Sequence, residues 1–482
     1  MTAPLEGARR WRALYMLCLG VLMIVLDTTI VTVALPSMKA DLGFSETSLV
    51  WVVNAYMLSF GGFLLLGGRL GDLYGHRRLF LSGLVLFTAA SLACGLAGSQ
   101  LMLVAARAVQ GLGGAVVTAV ALSLIMNLFT EDGERAKAMG IYGFVCAAGG
   151  SIGALLGGVL TTGLSWHWVF LVNLPIGVFV YIGCGRLLPH AADDVGAGQQ
   201  LDWAGAVTIT GSLMLAVYAV VGGNEAGWRS MQTLSLLGIA ALLFIAFLII
   251  ESRVRQPLMP LSLFRHRNIA VANVVAVLWS AAMFAWFVIS ALYLQLVLDY
   301  KALDVGLAFV PADLIMAAFS LGLSARIVVR YGLRSPMWVG LLLAAVGLAL
   351  FARAPLEGRF LVDVLPGMLL LGLGAGLAFN PLLLAAMNDV PPSDAGLASG
   401  VVNTAFMMGG ALGLAVLASL ADGETRQAIT SGVEQIAALA AGHRLAFVWG
   451  TGFALLAALI GGVLLRPKMA PSPEGAATGL VH

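Results

Sequence analysis

Arg69-Leu70-Gly71-Asp72-Leu73-Tyr74-Gly75-His76-Arg77 returns in outline as Arg326-Ile327-Val328-Val329-Arg330-Tyr331-Gly332-Leu333-Arg334, with Arg, Tyr, Gly and Arg in register 257 residues apart. Two glycine clusters repeat at nearly the same distance. Gly149-Gly150-Ser151-Ile152-Gly153 matches Gly409-Gly410-Ala411-Leu412-Gly413 at 260, and Gly111-Leu112-Gly113 matches Gly372-Leu373-Gly374 at 261. Three landmarks on one offset imply a duplicated unit. Each landmark lies in or beside a long apolar run, so the unit is a set of membrane helices. Parallel repeats of that kind, related by an axis along the membrane normal, enclose a central cavity that opens to either side as the halves rock. The architecture therefore favours transport.

Composition supports the same class. Of 482 residues 60% are apolar and 10% charged, and the mean hydropathy is +0.97, whereas a soluble domain is about a quarter charged. Apolar runs fall at 13–35, 48–68, 79–98, 101–126, 138–161, 168–188, 203–222, 234–250, 269–297, 305–325, 335–352, 362–386, 395–420 and 445–465. Each suits one crossing of about 20 residues. The expectation is an all-α integral membrane protein of 14 transmembrane helices: a six-helix half over 1–189, an inserted two-helix hairpin with its loop over 190–268, and a second six-helix half over 269–482. The basic start Arg9-Arg10-Trp11-Arg12 resembles a signal peptide, but the run behind it continues to Leu35, carries Asp27 and lacks a small-residue cleavage site, so it reads as a retained first helix. Eighteen of the 26 Lys and Arg fall on the side of the N-terminus and seven on the other, with Arg107 inside the fourth run. The positive-inside rule then places both ends in the cytoplasm.

A net charge of +2 offers no basic face for nucleic acid. Cys18, Cys94, Cys146 and Cys184 each sit in an apolar stretch without a C-x-x-C or His-Cys pattern, which predicts packing residues, no metal and no cofactor. Four lysines never form a phosphate-binding G-x-x-x-x-G-K-[ST] loop, which argues against an ATP-driven pump. Gly149 to Gly153 fits the G-x-S-x-G nucleophile pattern, but that chemistry needs a strand-turn-helix with His and acid partners. An intramembrane enzyme rests on that match and Asp27 alone, and a non-transporting sensor is a further alternative.

Ionisable groups at a helix centre cost about 2.5–3.5 kcal/mol on insertion scales. Asp27, in Leu26-Asp27-Thr28-Thr29-Ile30, and Arg107 lie at comparable depths. Either they only neutralise each other, or Asp27 is a proton carrier tuned by burial and by the cation. At the repeat offset the second half has Ala285 and Met368, so charge in the core belongs to the first half. The 2–3 turn, with Gly68, Arg69, Asp72, Gly75 and Arg77, is a candidate gate in which Asp72 latches to an Arg or a helix end; the alternative is a solvated turn. Its copy has Val329 for Asp72, so a latch there is one-sided. Gly149, Gly153 and Gly157 share one helix face and admit a close neighbour, a device that Gly409 and Gly413 repeat. Asp313 and Glu251 are each a candidate second proton site or an interfacial charge, and for Glu251 the interfacial reading is favoured. Asn54, Gln110, Gln295, Asn380 and Asn403 are candidates to line a cavity or to bond between helices. His167, in Trp166-His167-Trp168, reads as part of an interfacial aromatic belt.

At these motifs the chain resembles the 14-helix drug:proton antiporter group of the major facilitator superfamily. The likeness rests on Leu26 to Pro36, Gly68 to Arg78, Arg107-Ala108-Val109-Gln110-Gly111 and Gly149 to Gly158, extended by Trp166 to Gly177, Leu201 to Gly205 and Ser399 to Thr404. It implies proton-driven export of hydrophobic or amphipathic compounds, such as drugs or antibiotics, from a bacterial cell, with the protein monomeric in the inner membrane. It further implies coupling by Asp27 and Arg107, gating by Asp72 and Arg77, and an antiporter signature at Gly149, Gly153, Gly157 and Gly158. The signature's usual Pro is Ala154 here, and the usual Asn of the first helix is Thr32. A selective metabolite or amino-acid exporter of the same fold is the alternative. Arg outnumbers Lys 22 to 4, a GC-rich bias that suggests an antibiotic producer protecting itself.

Overall fold

The computed structural model describes residues 7–129, 131–188, 202–254, 257–319, 323–353, 355–387 and 395–466. Fourteen helices of fifteen residues or more carry the fold: α1 (Gly7–Leu42), α2 (Trp51–Tyr74), α3 (His76–Gly95), α4 (Gln100–Leu128), α5 (Asp132–Gly163), α6 (Asn173–Leu187), α7 (Trp203–Ala226), α8 (Met231–Arg253), α9 (Arg267–Leu296), α10 (Ala302–Ala318), α11 (Arg334–Phe351), α12 (Leu365–Met387), α13 (Ala395–Thr430) and α14 (Gln435–Leu464). Each covers one of the fourteen apolar runs. Twelve spans among the described residues are long and apolar enough to cross a membrane. The helices outside that count are α5 and α10. In α5 several side chains lie outside the described residues, and the apolar part counted there is Ile152–Gly163. Helix α10 is described over 17 residues, Ala302–Ala318, and a further short helix spans Ser324–Tyr331. The boundary expected after residue 189 falls in 189–201, outside the described residues.

Helix packing repeats across the two sets. In α1–α6 the pairs α1–α5, α2–α4, α3–α4, α1–α6 and α3–α6 touch; in α9–α14 the pairs α9–α13, α10–α12, α11–α12, α9–α14 and α11–α14 do the same. Glycines make the equivalence physical. A Cβ on Gly111 would strike the Tyr56 backbone of α2, and one on Gly372 the Ala312 backbone of α10. Gly113 likewise abuts Phe87 of α3, and Gly374 abuts Gly340 of α11. Helices associate in lipid by such close packing rather than by the hydrophobic effect, so small residues must recur wherever the contact recurs. The turns obey the same offset, since Gly75 and Gly332 both adopt positive φ, 88° and 74°, a conformation open to glycine.

The sets meet through α5 against α10 and α2 against α13, while α7 lies over the seam between α2 and α13 and α8 packs on α7, most of its surface facing outward. The three glycines expected on one face of α5 meet α1 of their own set: Gly149 at Val25, Gly153 at Leu26 and Gly157 at Ile30. The contact between sets uses the next face. A Cβ on Gly158 would lie 2.7 Å from the Ala302 carbonyl, one on Gly306 would lie 2.7 Å from the Ala154 carbonyl, and Leu303 N donates to Thr162 Oγ1 at 3.2 Å. Ala154 therefore stands at the crossing, where a bulkier side chain would part the helices.

Gly158→Val is expected to leave the fold intact and to hold the two sets apart at this end. A cysteine introduced at Thr162 should then react faster with a polar thiol reagent. Gly157→Val, by contrast, drives a side chain into the Ile30 carbonyl within one set and should lower folded yield severalfold. Equal yields for both substitutions would contradict this division of the two glycines.

Candidate functional site

Asp27 stands in the middle of α1 with no solvent exposure. Arg107 and Gln110, three residues apart and so on one face of α4, project to it. The Arg107 guanidinium donates to Asp27 Oδ2 at 2.5 Å, Gln110 Nε2 donates to Asp27 Oδ1 at 2.7 Å, and Asn173 Nδ2 of α6 donates to the same oxygen at 3.0 Å. Ser91 Oγ of α3 accepts from both amides, at 2.7 Å from Gln110 and 3.3 Å from Asn173. Two carboxylate oxygens thus take three donors from two helices. A buried ion pair is tolerable only when its remaining polar atoms are also satisfied, and this shell meets that requirement.

Arg107 has partners of its own. Its Nε donates to the Val52 carbonyl at 2.8 Å and its Nη1 to Gln110 Oε1 at 2.7 Å. The Tyr56 ring centroid lies 4.3 Å from the guanidinium carbon and that of Phe170 5.6 Å. The close approach that Gly111 allows seats α2, and with it Tyr56, against this cation. Ala285 and Met368, at the corresponding places of the second set, are buried apolar residues, so this ion pair has no copy there. Sequence reasoning found Asp27, Arg107 and Gln110 and missed Ser91, Tyr56, Phe170 and Asn173. A lone amide in the run Val172-Asn173-Leu174-Pro175 is the signal that singled out Asn54, and it would have found Asn173 as well.

The other expected residues are dispersed. In the 2–3 turn the side chains of Arg69 and Asp72 lie outside the described residues, as does that of Val329 in the copy, and Gly68 faces open space. Arg77 donates to the Gly185 carbonyl at 2.7 Å, tying the turn to the end of α6 within its own set. Gly149 to Gly153 lies inside continuous α5, which removes the strand-turn-helix that a nucleophile needs. The five candidate cavity residues separate. Gln110 belongs to the ion pair. Gln295 Nε2 donates across the sets to the Val33 carbonyl at 3.1 Å. Asn54 is fully buried with both amide atoms unpartnered, and Asn380 is half-buried. Asn403 lines a pocket with Ala276, Phe379, Leu382, Leu383, Val402 and Phe406.

Asp313 is 3% exposed in α10, and its Oδ2 has no partner, so the interfacial reading of this residue gives way to a buried carboxyl. Glu251, at the end of α8, is buried too: its Oε2 accepts from Met259 N at 3.1 Å, which folds the segment after α8 back onto the helix. Trp166 departs from the belt reading as well. It is buried, donates to Asp41 Oδ2 at 2.9 Å and stacks on His167 at 3.8 Å, while Trp168 alone of the three faces outward. Cys18, Cys94 and Cys184 are buried and form no disulfide with one another, and the Cys146 side chain is outside the described residues. Among the described residues no three His, Cys, Asp or Glu gather as a metal site would require.

Residues 17–414 match the profile of the Major Facilitator Superfamily. The chain is 39% identical to the puromycin resistance protein pur8 of Streptomyces alboniger, over 98% of this chain and 96% of that protein. It is 40% identical to the cephamycin export protein CmcT of Amycolatopsis lactamdurans, over 84% of each. Among solved structures, an auto-inhibited peptide transporter of the POT family superposes with a TM-score of 0.66 at 16% identity, covering 96% of this chain and 98% of that one, which speaks for the fold.

Proposed function

The chain belongs to the Major Facilitator Superfamily and is a multi-pass membrane transporter rather than an enzyme, and from that premise we propose that it exports hydrophobic or amphipathic small molecules in exchange for entering protons. Kinship with resistance and export proteins along nearly the whole chain supports the cargo and direction. The observation that carries the coupling is the buried Asp27–Arg107 pair inside its hydrogen-bonded shell.

Protonation of Asp27 removes the charge that Arg107 faces, while the Val52 carbonyl and Gln110 Oε1 still hold the cation. The α1–α4 contact then loosens, and the set α1–α6 rocks against α9–α14 about the α5–α10 and α2–α13 contacts. The small apolar pocket around Phe379, Asn403 and Phe406 would have to widen to take the apolar part of a substrate. Asp313 is the second candidate proton site. The turn with Gly68, Arg69, Asp72, Gly75 and Arg77 gates the end where α1 begins. With both termini in the cytoplasm of a bacterial cell, protons enter from outside, and each charge moved through 100 mV contributes about 2.3 kcal/mol. The protein works as a monomer in the inner membrane and needs no cofactor.

Inverted membrane vesicles with an acidic interior provide the test. Uptake of an amphipathic dye or antibiotic should follow the imposed gradient, continue without ATP and collapse with a protonophore. Equilibration that ignores the gradient would make the protein a facilitator and remove Asp27 from coupling.

A further inference from the structure

Arg107 is the one buried cation of the ion-pair network, and its face rests on an aromatic ring. Tyr56 is 1% exposed, its ring centroid is 4.3 Å from the guanidinium carbon, and its hydroxyl has no hydrogen-bond partner although buried. The ring, not the hydroxyl, is therefore what Tyr56 offers. It is held in place from both sides: a Cβ at Gly111 would strike the Tyr56 backbone, and Phe60 stacks on the ring at 5.8 Å. Phe170 stands at 5.6 Å from the same guanidinium. Neither ring depends on Asp27 for its position.

We propose that Tyr56 is a positioning residue that holds Arg107, through the face of its ring, while Asp27 carries its proton. This rests on the reading of Asp27 as the coupling carboxylate. A ring face attracts a cation electrostatically, and the attraction grows when the pair is desolvated. With Asp27 ionised, the carboxylate already compensates the guanidinium, and the ring adds little. With Asp27 neutral, the cation is left with the Val52 carbonyl, Gln110 Oε1 and the rings, all uncharged. The ring therefore matters most when Asp27 is protonated, where it keeps Arg107 from swinging away before the proton is released. The titratable or charged side chains that face Asp27 among the described residues are Arg107 of α4, Tyr56 of α2 and Cys94 of α3; α6 presents the neutral Asn173, and α5 presents glycine. Cys94 bonds to Gln110 Oε1 at 3.7 Å and adds no charge in its thiol form.

The test reads the carboxyl itself. The full-length protein in lipid vesicles is titrated by infrared spectroscopy on the C=O stretch of protonated Asp27, assigned by its absence in Asp27→Asn. Tyr56→Phe should retain the parent midpoint, because it keeps the ring. Successively fluorinated phenylalanines at position 56, which keep the shape and weaken the ring face, should move the midpoint stepwise to lower pH, by about one pH unit for the fully fluorinated ring. A midpoint that stays constant along the series overturns the proposal, as does a shift in Tyr56→Phe equal to that of the fluorinated ring. A carboxyl that never titrates overturns it together with the coupling role. If the midpoint moves but the pH profile of transport does not follow, the ring contact stands and proton coupling through Asp27 fails.

Discussion

Asp27→Asn is expected to insert and fold as the parent does and to lose uphill export completely, the outward concentration ratio falling to unity. Asparagine keeps the shape of the side chain and an acceptor for Arg107, and its amide nitrogen is accommodated once the Asn173 amide turns its oxygen inward. What it removes is titration. Without a group that binds a proton on one side and releases it on the other, the gradient has no hold on the conformational cycle. Downhill movement of substrate need not stop, and exchange of labelled substrate between equal pools should persist. Vesicle uptake with and without an imposed pH gradient measures both. Retained accumulation by Asp27→Asn would move coupling elsewhere, with Asp313 the first residue to examine.

Arg107→Ala should be the more damaging change to stability. Deleting one partner of a buried pair leaves the other uncompensated, at about 3–5 kcal/mol, and here it also frees the Val52 carbonyl and Gln110 Oε1. The unfolding temperature in detergent should fall clearly, with proton-driven transport lost. Adding Asp27→Asn to Arg107→Ala removes the stranded charge and should restore much of the lost stability while leaving transport absent. A double substitution no more stable than Arg107→Ala alone would mean that the cost came from lost packing around the guanidinium stem.

The fold was legible because its determinants are local or periodic. Fourteen apolar runs became fourteen helices, and the 257 to 261 offset became a repeated packing scheme, since close helix contacts demand small residues at the same places in each copy. Span number was less legible. Among the described residues twelve helices are long and apolar enough to cross a membrane. Trp166 misled because it lies in the turn after α5, where the sequence gives depth but not cover.

The site divides along the same line. Asp27, Arg107 and Gln110 stand out in the sequence alone, because an ionisable or polar side chain in a membrane helix requires a partner. The identity of that partner belongs to the tertiary structure. Periodicity tells which face of α1 or α4 a residue occupies, but not which helix lies across from it. Asn173 comes from α6, 146 positions from Asp27, and the Val52 carbonyl carries no side-chain signature at all. Likewise the three glycines on one face of α5 announced a close contact, and only packing decided that they meet α1 while Gly158, on the adjoining face, meets α10. A helix sequence encodes its own surface. Which surfaces are apposed is settled by the simultaneous packing of all fourteen helices.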